Sequence, residues 1–173
     1  ARRQLAAREI RDASTGLATP EYLRMRLEEE VVRCRELGHS MSLAAFRLVG
    51  LEGHAERFGA EYRDRCRIEL AELVHAWRGP AELAALDGQG KVLVLLPSMR
   101  RERAEERATA LAAAVEKHIF PRRKRMALQA GIAAYPADAD EAQGLLAQAD
   151  NDLYESMRGE AQPPASLESV ALS

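Results

Sequence analysis

The residues best placed to do chemistry in this chain form a short turn, Asp87-Gly88-Gln89-Gly90-Lys91, between two apolar runs, Leu83-Ala84-Ala85-Leu86 and Val92-Leu93-Val94-Leu95-Leu96. Glycine tolerates the positive φ that tight turns demand, so the runs read as paired antiparallel strands. Backbone N–H groups of Gly88, Gln89 and Gly90, with one ammonium from Lys91, could hold a phosphate without metal. Gly88 to Val92 contains no carboxylate, so the turn offers nothing to a divalent ion.

Other clusters read as structure. Asp138-Ala139-Asp140-Glu141 lacks the glycine and the distant glutamate of a calcium loop, and Asp140 reads as a helix cap. Pro121-Arg122-Arg123-Lys124-Arg125, with Arg100, Arg101 and Arg103, reads as a charged surface loop, because no aromatics interleave to stack bases. His39, His54, His75 and His118 have no partners at metal-ligand spacing, and Cys34 and Cys66 read as two reduced helix cysteines. No metal or cofactor is expected.

At 173 residues and 47% hydrophobic content the chain can bury one sizeable core. A formal net charge of -2 points away from nucleic acid. No apolar stretch reaches the roughly eighteen residues of a membrane span and no signal peptide opens the chain, so a soluble, cytoplasmic protein without membrane contact is expected. The start at Ala1 suggests a piece of a longer protein.

These residues need a scaffold, and the pattern supplies one. Residues 1–12 read as a lead-in helix with only Leu5 and Ile10 as large apolar groups. Thr19 as N-cap and Pro20 as first helical residue open a helix with Leu23, Leu27, Val31 and Cys34 on one stripe, ended by Gly38. Ser40–Val49 reads as a strand and Ala60–Trp77 as a helix with Ile68, Leu70, Leu73 and Val74 inward. After the hairpin come a helix over Arg100–His118, a strand over Met126–Ala134 and a helix over Glu141–Met157. The order predicts an α+β fold, one mostly antiparallel sheet flanked by helices, over residues 13–158, with a flexible tail over 159–173.

Three stretches give this order a family. Asp12-Ala13-Ser14-Thr15-Gly16-Leu17, the hairpin, and Gln129-Ala130-Gly131-Ile132-Ala133-Ala134-Tyr135-Pro136 followed by Ala149-Asp150-Asn151-Asp152-Leu153-Tyr154 together resemble the GGDEF (diguanylate cyclase) family over about residues 10–158. The resemblance implies a nucleotide-cyclase-like fold, and implies joining two GTP into cyclic di-GMP with divalent metal held by two acids. Matching Phe58-Gly59 to the family's aromatic-Gly pair puts Arg47 at the first acid, and the GGDEF letters become Gly88-Gln89-Gly90-Lys91-Val92. Ala55 stands at the family's nucleotide-contacting Asn and Met157 at its late Lys. Asp64 matches the guanine-reading Asp, or is simply a solvated acid at a helix start. The inhibitory-site positions are Gly79, Glu82 and Ala110, so Arg78, Glu82 and Arg107 could improvise such a site, or be a solvated face.

The expectation is a degenerate GGDEF domain, not an enzyme, acting as a regulatory or protein-interaction module in bacterial cyclic di-GMP signalling. Its expected partner is another protein domain, or a second copy through the lead-in helix. The alternative is a non-catalytic receptor for cyclic di-GMP or GTP, bound weakly, through Asp64, Gly88, Gln89, Gly90 and Lys91.

Overall fold

The computed structural model describes residues 10–161. The expected lead-in helix over 1–12 lies outside the described residues up to residue 9, and the tail lies outside them from 162 on. The elements are α1 Pro20–Leu37, β1 Met41–Val49, α2 Leu51–Phe58, α3 Ala60–Trp77, β2 Leu83–Leu86, β3 Lys91–Pro97, α4 Arg101–Lys117, a 3-10 turn at Pro121–Arg123, β4 Ala127–Tyr135 and α5 Ala142–Ala161. Among the described residues no helix is long and apolar enough to cross a membrane.

The strands form one antiparallel sheet in the order β2-β3-β1-β4, an α+β fold as expected. Alternation along each strand sends successive side chains to opposite faces. Ala44, Phe46 and Leu48 of β1 pack with α3 and α4, while Leu43 and Ala45 pack with α1 and α5. Thr19 accepts from the Tyr22 amide, Pro20 is at the first turn, and Gly38 ends α1 at φ 68. The stripe Leu23, Leu27, Val31 and Cys34 is buried as read from the sequence.

The structure differs from the sequence reading in four places. Residues 51–58, given no element, form α2, which buries Leu51 and Ala55. Ile68, expected inward, is 36% exposed, because the buried side of α3 runs through Cys66, Arg67, Leu70, Ala71 and Val74. Asp140 does not cap α5: the first helical bond runs from the Leu145 amide to the Glu141 carbonyl, and the Asp140 carbonyl accepts from Arg35 at 3.0 Å. α5 also continues through Gly159 to Ala161, where the tail was expected to begin.

Two features fix the neighbourhood of the turn. The β2 edge of the sheet is covered by the opening segment, with the Ala18 amide on the Ala84 carbonyl and the Leu86 amide on the Ala18 carbonyl. On the other side, α5 lies so close to β4 that a Cβ at Gly131 would sit 2.2 Å from the Leu153 nitrogen. Only glycine permits that approach.

Candidate functional site

The hairpin turn binds itself. The Asp87 carboxylate accepts from the Gln89 amide at 2.8 Å and the Lys91 amide at 2.9 Å, and the Gly90 amide donates to the Asp87 carbonyl at 3.5 Å. An anion supplied by the chain thus occupies donors that a phosphate would need. Gly90 has φ +85, and a Cβ there would lie 2.7 Å from Leu51 Cδ2, so the turn is pressed onto the start of α2. Five surface hollows, from about 160 to about 750 Å3, lie elsewhere: none of them is lined by Gly88, Gln89, Gly90 or Lys91.

Arg67, which sequence reasoning missed, holds this turn from below. Its side chain is buried on α3. Nε donates to the Asp87 carbonyl at 2.9 Å, Nη2 to Asp12 Oδ2 at 3.3 Å, and Nη1 stands 3.8 Å from Asp64. One guanidinium therefore ties the opening segment, α3 and the turn together, using three directions of its fixed fork. A hydrogen bond from the Ser14 hydroxyl, aided by Arg67, holds the Asp12 carboxyl below its ordinary pKa. Asp64 is 67% exposed, and its contact with Arg67 is at salt-bridge range only. The signal for Arg67 was its place on the buried stripe of α3, next to Cys66.

On the sheet, Arg47 pairs directly across from Lys91 on β3 and from Gln129 on β4. Residues paired this way have Cβ atoms about 5 Å apart on one face, where like charges repel. α5 answers the repulsion: Asp150 forms an ion pair with Lys91, and Ser156 donates to Gln129 at 2.6 Å. Arg47 Nε is buried without a hydrogen-bond partner among the described residues. A divalent ion does not fit here. At 4 Å and an effective dielectric near 20, one unit charge acts on another by about 4 kcal/mol, and two cations repel where acids would attract. Among the described residues no three His, Cys, Asp or Glu side chains converge as a metal site.

The GGDEF family model, described as the diguanylate cyclase GGDEF domain, matches residues 9–162. The chain belongs to the GGDEF domain family. Solved GGDEF domains share its fold. The coiled coil and GGDEF domain of DgcB from Caulobacter crescentus, in complex with c-di-GMP, is 20% identical over 91% of this chain and 85% of that one, with TM-score 0.83. The GGDEF domain of TpbB (YfiN) from Pseudomonas aeruginosa is 22% identical over 86% of this chain and 89% of that one, with TM-score 0.80. The diguanylate cyclase SiaD from Pseudomonas aeruginosa, in complex with its activator SiaC, is 24% identical over 91% of this chain and 62% of that one, with TM-score 0.80. No curated protein matches the chain.

Within this GGDEF domain Arg47 and Lys91, which the sequence resemblance puts at the family's acid positions, are brought side by side. Ala55 and Met157, which the resemblance puts at the family's nucleotide-contacting Asn and late Lys, are a buried residue of α2 and a partly buried residue of α5 packed on the core. Arg78, Glu82 and Arg107 also meet, but they satisfy one another. Glu82 pairs with Arg107 and accepts from the Gly79 amide at 2.7 Å. Arg78 donates to the Glu82 carbonyl at 3.0 Å. Arg107 lies over the Trp77 ring at 4.4 Å and donates to the Trp77 carbonyl, while Trp77 donates back to the Arg107 carbonyl at 2.8 Å. The cluster ties α3 to α4 beside β2.

The remaining candidates fall into structural roles. The Arg122 guanidinium lies 4.4 Å from the Phe58 ring centre, which anchors the basic loop on α2. His118 meets Glu69 at 2.8 Å, and His75 meets the Thr15 carbonyl at 2.9 Å. Cys34 and Cys66 are free and buried, and burial raises both thiol pKa values.

Proposed function

We propose that this GGDEF domain makes no cyclic di-GMP and works as a regulatory, protein-binding module of a cyclic di-GMP signalling protein. One observation carries the reading: Arg47 and Lys91 face each other across β1 and β3 where the family places its metal-holding acids, and Asp150 of the same chain neutralises Lys91. Phosphoryl transfer between two triphosphates needs divalent metal to spread the charge of the reacting oxygens. A pair of cations at those positions supports the loss of that step.

The receptor alternative has less behind it. The turn amides of Gln89, Gly90 and Lys91 already have acceptors in Asp87. The Glu82–Arg107 pair leaves the improvised inhibitory site with its charges matched internally. SiaD is described in complex with a protein activator, and a partner of this kind, or another domain of the same protein, is the binding role proposed here.

Purified protein incubated with GTP and either Mg²⁺ or Mn²⁺ is expected to release no cyclic di-GMP above a protein-free blank. Metal-dependent product that vanishes in Asp64→Ala would overturn the reading.

A further inference from the structure

The basic run Arg122-Arg123-Lys124-Arg125 holds one defined conformation. Arg122 and Arg123 both sit at positive φ, 60 and 56, a region that residues with a Cβ rarely enter and keep only where the surroundings enforce it. Three hydrogen bonds enforce it here. The Phe120 amide donates to the Lys124 carbonyl at 2.8 Å, the Lys124 amide to the Phe120 carbonyl at 3.2 Å, and the Tyr62 hydroxyl to the Pro121 carbonyl at 3.0 Å. Phe120 itself is buried in the core.

The loop brings its charges to one ring. Around Phe58, at the end of α2, the Arg122 guanidinium lies 4.4 Å from the ring centre, the Arg57 guanidinium 5.4 Å and the Lys124 ammonium 5.9 Å. The face of a ring attracts a cation, but cations gathered about one point repel one another. None of the three has an ion pair among the described residues. Glu52 of α2 is taken by Arg63 at 2.9 Å. Outside residues 10–161 the only acidic side chains are Glu9 and Glu168, and Glu9 is accompanied by Arg2, Arg3 and Arg8. The cluster is therefore held in place with its positive charge unmatched by the described carboxylates.

We propose that Arg57, Arg122 and Lys124 dock an acidic segment of a partner protein, whose Asp or Glu side chains pair with them. Cations already fixed by the fold lose little freedom on pairing, and the fork of a guanidinium matches a carboxylate. Nucleic acid fits less well, because the ring that would stack a base is already flanked by cations. With a formal net charge of -2 on the whole chain, the surface beyond the patch repels a long polyanion or an anionic membrane, whereas a short segment meets the patch alone. The inference rests on the protein-binding reading above and names the partner's chemistry.

Calorimetric and NMR titration of the full chain tests it, with a peptide of about seven residues alternating glutamate and serine as the probe and an alternating lysine–serine peptide as control. The glutamate peptide is expected to bind and to shift the amide signals of Arg57, Phe58 and residues 122–124, and the lysine peptide to do neither. Arg122→Glu is expected to weaken binding at least about tenfold, and Arg24→Glu, an equal change of net charge on α1 across the sheet, less than about twofold. Arg122→Gly removes the cation while suiting the positive φ, so the loop keeps its shape, and should weaken binding about threefold or more. No binding of the glutamate peptide, equal binding of the lysine peptide, shifts elsewhere only, or equal losses in Arg24→Glu and Arg122→Glu overturns the proposal. Tighter binding at Phe58 by a single strand of about ten nucleotides, or by anionic vesicles, overturns it also. Such a failure with GTP turnover still absent removes this patch alone, whereas turnover removes the protein-binding reading whatever the peptide does.

Discussion

At the hairpin turn, charges and amides meet partners from the same chain: Asp87 takes the turn amides, Arg67 takes Asp87 and Asp12, and Asp150 takes Lys91. Along the outer side of β4 the match is poorer: Glu105, Asp138 and Asp152 share Arg101, and Glu155, which lines the same groove, has no ion pair among the described residues. The contrast teaches that the polar groups of the turn are matched within the chain, whereas the groove between α4 and α5 carries more carboxylates than cations. Buried polar groups with internal partners give stability, and unmatched ones mark where something else can bind.

The comparison breaks most severely at the contact that both regions share, α5 against the sheet. Gly131→Ala places a Cβ against the Leu153 nitrogen, so chemical denaturation should show a loss of about 3 kcal/mol or more. Removing the tie beneath the turn comes next. Arg67→Met deletes bonds to Asp12 and the Asp87 carbonyl and is expected to cost about 2–3 kcal/mol, with turn amide exchange at Gln89 and Lys91 accelerated.

Reversing the charge at the turn is milder. Lys91→Glu sets a carboxylate against half-exposed Asp150, so a loss of about 1 kcal/mol is expected, with still no turnover because Arg47 stays. The smallest effect is on acid stability. The Asp12 carboxyl is held below its ordinary pKa in the fold, so its contribution is present above the unfolded value and fades as pH falls through the folded one. In Asp12→Asn, measured against wild type, the loss of stability below about pH 4 should be shallower.

Much of this was legible in the sequence, for physical reasons. The hairpin, β1 and α1 announce themselves through near-continuous apolar runs of strand length, a Thr-Pro helix start and glycines at forced turns, all local signals. α2 escaped because it spans eight residues with Gly53 inside and turns only Leu51 and Ala55 inward. That Arg47 and Lys91 stand where the resemblance expects acids could be read by position, but the partner of Lys91 in Asp150 could not, since it depends on how α5 settles across the sheet. Arg67 looked like any solvated helix arginine until the turn closed over it. The shortage of cations around Arg101 likewise unites α4, α5 and the loop after β4, segments up to about fifty residues apart in sequence.

The central claim is that the turn no longer accepts a metal–nucleotide complex. Calorimetric titration of GTP into the protein, with and without Mg²⁺, tests it most directly, with cyclic di-GMP as a third titrant. No Mg²⁺-dependent heat is predicted, and cyclic di-GMP should bind no tighter than roughly 100 μM, about -5.5 kcal/mol. Low-micromolar GTP binding that requires Mg²⁺ and is lost in Asp64→Ala would contradict it.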